Sequence, residues 1–199
     1  MHDTKPETNL ESKFAEISDA ELVKLTLQNP ENFKFLIERY KIKFANYIKR
    51  KTSVSNQDVE DILQDAFIKI YLNLNSFDST LKFSSWGYRI VHNEIINAYR
   101  KKSVRPQVNF EDYEEDNLIN IFKEDTDIEQ DFYRQEIKKH IRGAIDKLDE
   151  KYKDIIILRF LEDKDYTEIS DILEIPLGTV STNISRGKKE LQKLLEKFK

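Results

Sequence analysis

Val59, Ile62, Leu63, Ala66, Phe67 and Ile70 recur at three- and four-residue intervals. That spacing makes one stripe on an α-helix and would scatter over both faces of a strand. Asp58, Asp61 and Asp65 fall off the stripe and are expected to face solvent, with Gln64 beside them. After a break at residues 75–80, Phe83, Trp86 and Ile90 restart a helix that ends in Arg100-Lys101-Lys102. Residues 58–102 therefore predict two helices that share a core and offer opposite charges to two partners. A protein-docking site beside a nucleic-acid site is the simplest reading of that polarity.

The rest of the chain reads as further helices. Residues 1–17 lack the apolar run of a signal peptide and are expected to form a short disordered lead. Ser18 or Asp19 can cap a first helix to about Gln28. Asn29-Pro30 restarts the chain, with Asn as N-cap and Pro in the first turn, where its missing N–H costs nothing. Phe33, Leu36, Ile37, Tyr40, Phe44 and Tyr47 give the second helix an inward face to about Lys51. Ser55-x-x-Asp58 resembles a capping box with Asp in place of Glu or Gln, and Val54 sits at the staple position. It opens a third helix to about Asn73, and its early acidic residues suit the helix dipole. A fourth helix covers residues 82–102. Residues 18–102 would thus form an N-terminal helical bundle of domain size.

Residues 103–127 lose the pattern and predict an extended, mobile, acidic linker. Helicity resumes near Ile128 and runs to about Leu148. Asp149 can cap a helix over residues 150–161 that holds Ile155-Ile156-Ile157-Leu158. Asp165-x-x-Glu168 opens a short helix with Ile169, Ile172 and Leu173 inward. Glu174-Ile175-Pro176 is the turn, and from Leu177 a longer helix buries Val180, Ile184, Leu191 and Leu194. Short helix, tight turn and long basic-ended helix make a helix-turn-helix signature. The expected fold is all-α: an N-terminal helical bundle and a C-terminal four-helix domain (128–199), joined by a flexible acidic linker.

A net charge of −4 argues against DNA binding until it is mapped. Residues 82–102 carry 5 Lys or Arg against 1 Asp or Glu, residues 186–199 carry 6 against 2, and residues 107–131 carry 1 against 10. The acidity is thus concentrated in one segment, leaving two basic patches for a polyanion. The chain has no cysteine, which excludes disulfides and thiolate metal sites and fits a reducing cytoplasm. His2, His92 and His140 are scattered, and no Gly-rich phosphate loop or metal-ligand cluster is present. No catalytic residue, metal or cofactor is expected, so the chain is not read as an enzyme. No apolar run approaches the roughly 18 residues of a membrane span, so membrane insertion is not expected.

Two separated segments carry a family resemblance. DVEDILQDAFIKIY with FSSWGYRIVHNEIINAYRKK resembles the second conserved region of bacterial RNA polymerase sigma factors of the extracytoplasmic-function class. LDEKYKDIIILRFLEDKDYTEISDILEIPLGTVSTNISRGKKEL resembles their fourth. Many regulators contain a helix-turn-helix; the pair in this order, joined by an unpatterned linker, is far more specific.

The resemblance implies roles for particular residues. Asp58, Asp61, Gln64 and Asp65 would dock on the clamp helices of the polymerase largest subunit, and the polymerase flap region is a further implied contact of the chain. Phe77, Asp78 and Ser79 match the loop that takes extruded bases of the −10 element, where stacking is worth about 1–3 kcal/mol per base. Phe77 either stacks a base or closes the loop onto the core; Trp86 shares the stripe of Phe83 and Ile90 and reads as core. Asn93 and Asn97 would face the duplex edge, and Arg100, Lys101 and Lys102 would hold phosphates. Thr179, Ser181, Thr182, Ser185 and Arg186 match positions that meet the −35 element, and Lys188 and Lys189 extend the phosphate-facing end. The family often carries basic residues where this chain has Ser181 and Asn183, and Gly where it has Glu174. The linker either threads the path of nascent RNA or is a solubilising spacer. An anti-sigma protein is the implied regulator. The rival reading, a helix-turn-helix regulator independent of polymerase, leaves Asp58–Asp65 and the 75–80 loop without a task.

Overall fold

The computed structural model describes residues 16–101 and 140–196. The chain falls into two compact units: described residues 16–49 and 54–101 belong to the first and 140–196 to the second. Lys102, residues 103–127 and the first part of the helix expected from Ile128 lie outside the described residues, as does most of the expected lead.

The first unit contains four helices: α1 (Asp19–Gln28), α2 (Phe33–Lys51), α3 (Asn56–Leu72) and α4 (Phe83–Lys101). Short 3₁₀ turns at Pro30–Asn32 and Leu74–Ser76 join α1 to α2 and follow α3. The starts follow the side-chain chemistry. The Ser18 hydroxyl accepts the Glu21 N–H at 3.2 Å, and Asn29 Oδ1 accepts the Glu31 N–H at 3.1 Å. Asp19 then ties α1 to α2 by an ion pair with Arg39 at 2.6 Å and a hydrogen bond from the Tyr40 hydroxyl.

Phe44 is the hub of the first core. Its ring lies 5.1 Å from Tyr40, 5.7 Å from Phe67 and 5.1 Å from Tyr88, centroid to centroid. Gly87 makes room for it: a Cβ there would sit 2.7 Å from Phe44 Cζ. The stripe of α3 is buried as its spacing predicts, through Val59, Ile62, Ala66, Phe67 and Ile70, while Leu63 is half-buried. Burial of this kind stabilises by about 1.5–3 kcal/mol per large side chain. It fixes which faces of α3 and α4 remain outward. Inside the same core the Tyr47 hydroxyl and His92 Nδ1 lie 2.9 Å apart.

The second unit contains helical residues 140–145, then α5 (Glu150–Ile156), a π-helical turn (Ile157–Leu161), α6 (Tyr166–Leu173) and α7 (Leu177–Glu196). The sequence predicts one regular helix over 150–161; the structure corrects this. From Ile157 the chain widens, and the Glu162 N–H reaches the carbonyl five residues back at 3.1 Å. Asp163 at φ 51° ends the helix, and Arg159 Nη1 caps the following loop through the Lys164 carbonyl at 3.0 Å. Ile155, Ile156, Ile157 and Leu158 are all buried, so this four-residue stretch is enclosed on every side, while Glu150 and Lys151 at the helix start face solvent. α7 packs across α5 at Gly187, where a Cβ would lie 3.1 Å from Ile156 Cγ1.

Candidate functional site

On the first unit, α3 exposes Asp61, Gln64 and Asp65, while Asp58 is half-buried at the helix start. Ser55 holds Asp58 there: the Asp58 N–H donates to Ser55 Oγ at 3.2 Å, and the hydroxyl donates to Asp58 Oδ2 at 2.9 Å. In a full capping box the longer acid would reach the backbone N–H of the cap residue; here the carboxylate is met by the Ser hydroxyl instead. Asp58, Asp61 and Asp65 edge a pocket of about 150 Å³ whose other wall includes Tyr99 and Lys101. Lys101 therefore stands beside the acidic residues as well as at the basic end of α4.

A second concavity lies between α3 and α4. It has a volume of about 530 Å³ and is lined by Lys69, Asn73, Trp86, Asn93, Asn97 and Arg100, among others. The structure thus brings together Asn93, Asn97 and Arg100. Trp86 forms part of the wall although it is only 9% exposed. Phe77 is half-buried, with its ring 5.5 Å from Phe83 and 5.3 Å from Trp86, so it closes the loop onto the core. Asp78 organises the loop itself. Its Oδ1 accepts both the Thr80 N–H at 2.9 Å and the Thr80 hydroxyl at 2.7 Å, and these bonds hold its carboxyl below the ordinary range. Ser79 is exposed beside it.

Two residues of this concavity escape a motif-based reading: Glu94 and Lys69. Glu94 is 5% exposed, and its Oε1 is met by Lys69 Nζ at 2.5 Å and by Asn97 Nδ2 at 2.9 Å. The signal was present in the sequence, because a carboxylate at position 94 interrupts the apolar stripe running from Phe83 through Ile90 and Val91 to Ala98. Buried acids persist only with partners, so an acid at this position requires one.

On the second unit, Asp165 and Glu168 form a complete capping box at the start of α6, with bonds of 2.8 and 3.1 Å. The turn is fastened by Ser170, whose hydroxyl donates to the Ile175 carbonyl at 2.6 Å and whose carbonyl accepts the Ile175 N–H at 3.2 Å. Glu174 is left-handed, at φ 55° and ψ 42°. α7 buries Val180, Ile184, Gly187 and Leu191. Thr182, Ser185, Arg186 and Lys189 are exposed on the side away from that stripe, and Thr179 and Ser181 flank them, also exposed. The Thr182 hydroxyl donates to the Gly178 carbonyl at 2.9 Å. Lys188 differs from the others: it is half-buried, with Nζ 5.7 Å from the centroid of the Phe160 ring.

Among the described residues no group of three or more His, Asp or Glu side chains is placed to hold a metal ion, and no helix is long and apolar enough to cross a membrane.

Comparison with known proteins matches residues 36–105 to the sigma-70 region 2 family and residues 139–191 to the sigma-70 region 4 family. The chain is 35% identical to the ECF RNA polymerase sigma factor SigW of Bacillus subtilis over 166 residues, covering 82% of this chain and 88% of that one. It is 29% identical to the ECF RNA polymerase sigma-E factor of Haemophilus influenzae, covering 91% and 97%. It is 32% identical to that of Escherichia coli K12, covering 80% and 84%. In fold it is similar to CnrH, solved with the cytosolic domain of CnrY, at a TM-score of 0.66 and 22% identity, covering 89% of this chain and 97% of that one. It is also similar to the sigma factor RpoE of Bartonella quintana, solved with the anti-sigma factor NepR, at 0.64 and 19%, covering 83% and 98%. Two helical units, each matched to its own sigma-70 region in the same chain order, place this protein in the ECF class of RNA polymerase sigma factors.

Proposed function

We propose that the chain works by a division of labour in which the first unit grips core RNA polymerase and opens the −10 element while the second anchors the −35 element. The observation that carries this is the pairing, on one rigid helical unit, of an exposed acidic ridge on α3 with a polar groove between α3 and α4. Asp58, Asp61, Gln64 and Asp65 suit a basic helix of the polymerase clamp, because charges held on a rigid helix steer encounter and fix register. Asn93 and Asn97 offer amide groups to base edges, and Arg100 offers charge to phosphates. Lys101 contributes to the same field from the adjoining wall, and Lys102 follows it in sequence. Phe77, packed on Phe83 and Trp86, and Asp78, bonded to Thr80, give the loop a fixed shape against which an extruded base can rest; Ser79 lies exposed at its edge. On α7, Thr179, Ser181, Thr182, Ser185, Arg186 and Lys189 form the face offered to the major groove. Lys188 supports that face from its side while its ammonium lies over the Phe160 ring.

Neither unit need bind promoter well alone, since the tether and polymerase supply effective concentration. The chain then acts as a polymerase subunit in the cytoplasm, with no catalytic group or cofactor of its own. An anti-sigma protein that covers the acidic ridge or the DNA-facing groove is the regulator this reading expects. Transcription with purified bacterial core polymerase on a randomised promoter library tests the proposal. Initiation that depends on this chain, at templates sharing two spaced elements, supports it. DNA binding without any effect on polymerase points to the independent regulator instead.

A further inference from the structure

Glu94 lies in the middle of α4, on the stripe that faces the core, and yet it is a carboxylate at 5% exposure. Lys69 crosses from α3 to reach its Oε1, which balances the charge. A single counter-ion would be enough for that. The same oxygen nevertheless also takes Asn97 Nδ2 at 2.9 Å, one helical turn further along α4. Asn97 is half-buried and lines the groove with Asn93 and Arg100.

The chemistry of this contact is one-sided. An ionised carboxylate accepts hydrogen bonds and donates none, so the end of the Asn97 amide turned toward Glu94 must be its nitrogen. An asparagine free to turn can offer either a donor or an acceptor to a base. An asparagine pinned through one N–H keeps a fixed orientation, with its carbonyl oxygen turned away from Glu94 and its second N–H held in one direction beside it. On the major-groove edge, adenine and cytosine present an exocyclic amine, whereas guanine and thymine present carbonyl acceptors at the corresponding place. A fixed carbonyl oxygen meets the first pair with a hydrogen bond and the second with lone pair against lone pair.

We propose that Glu94, held by Lys69, is a positioning residue that fixes the flip of Asn97 and thereby restricts one base of the −10 element to adenine or cytosine. The inference rests on the reading of α4 as the −10 helix and adds to it the polarity with which one of its side chains reads DNA.

The test uses the full chain with core polymerase and a promoter set carrying each of the four bases at every −10 position. Five proteins are compared: wild type, Glu94→Gln, Glu94→Met, Asn97→Ala and the Glu94→Gln Asn97→Ala double variant. At one position wild type should initiate about tenfold better with adenine or cytosine than with guanine or thymine, the scale of one well-placed base contact. Glu94→Gln keeps the size of the side chain but can donate to the Asn97 carbonyl, so the amide can turn. The ratio should fall below about threefold. Asn97→Ala should produce the same collapse, and adding Glu94→Gln to it should change the ratio no further. Glu94→Met, also of similar length and unable to accept from the amide, provides an independent release of Asn97. A purely structural Glu94 would lower initiation at all promoters alike and leave the ratio intact. That result would overturn the inference, as would wild type showing no position with an amine preference. If wild type fails to start transcription with core at all, it is the function proposed above that has failed, and the two failures are told apart by that single control.

Discussion

Asp58 and Ser55 hold each other at the start of α3, backbone N–H to hydroxyl at 3.2 Å and hydroxyl to carboxylate at 2.9 Å. The cap therefore both starts the helix and aims the first acid of the proposed polymerase ridge. Ser55→Ala removes the acceptor for the Asp58 N–H and the donor to its carboxylate together. It should lower stability by about 1 kcal/mol, the usual value of an N-cap. Chemical denaturation of the variant against wild type measures this directly.

Glu174 occupies a left-handed conformation at φ 55°, where a Cβ is unfavourable. Glycine carries no such penalty and can still donate its N–H to the Ser170 carbonyl. Glu174→Gly should therefore raise the stability of the second unit by about 1 kcal/mol, offset in part by the greater freedom of glycine in the unfolded chain. An upward shift of the thermal midpoint is the expected result, with DNA binding unaltered because α7 is not touched.

Asp78 has its carboxyl held below the ordinary value of 3.8 by the Thr80 backbone and side-chain hydrogen bonds. A depressed folded value means the carboxylate favours the ordered loop above 3.8, and this contribution is lost as pH falls through the lower folded value. Titration followed by NMR should give Asp78 a midpoint below 3.8, moving up toward it in Thr80→Ala. The loop resonances should be insensitive to pH through the neutral range.

The helices and their inward faces were legible because each rests on local chemistry: Ser18, Asn29, Ser55, Asp149 and Asp165 all accept a backbone N–H near their helix starts, as the sequence suggests. The π-helical turn at Ile157–Leu161 was not legible. The apolar run Ile155–Leu158 reads alike in either helix, and the turn shows only in the widened bond from the Glu162 N–H to the Ile157 carbonyl. The outward residues of the site were legible as a set, since they fall off the apolar stripes. Their individual settings were not. Asp78 is bonded to Thr80, Asn97 to Glu94, and Lys188 is laid over Phe160, all contacts that depend on side-chain directions no spacing rule supplies. The Lys69–Glu94 pair joins two helices across a turn and needs their packing to be known.

The central claim is that the acidic face of α3 seizes polymerase. The most direct measurement is the affinity of the fluorescently labelled chain for purified core enzyme, wild type against Asp61→Lys with Asp65→Lys. Both positions are exposed, so circular dichroism and thermal midpoint should stay unchanged. Opposing a basic clamp with two new cations should weaken binding by about 100-fold or more. Affinity within about threefold of wild type, from a variant shown to be folded, would contradict the account.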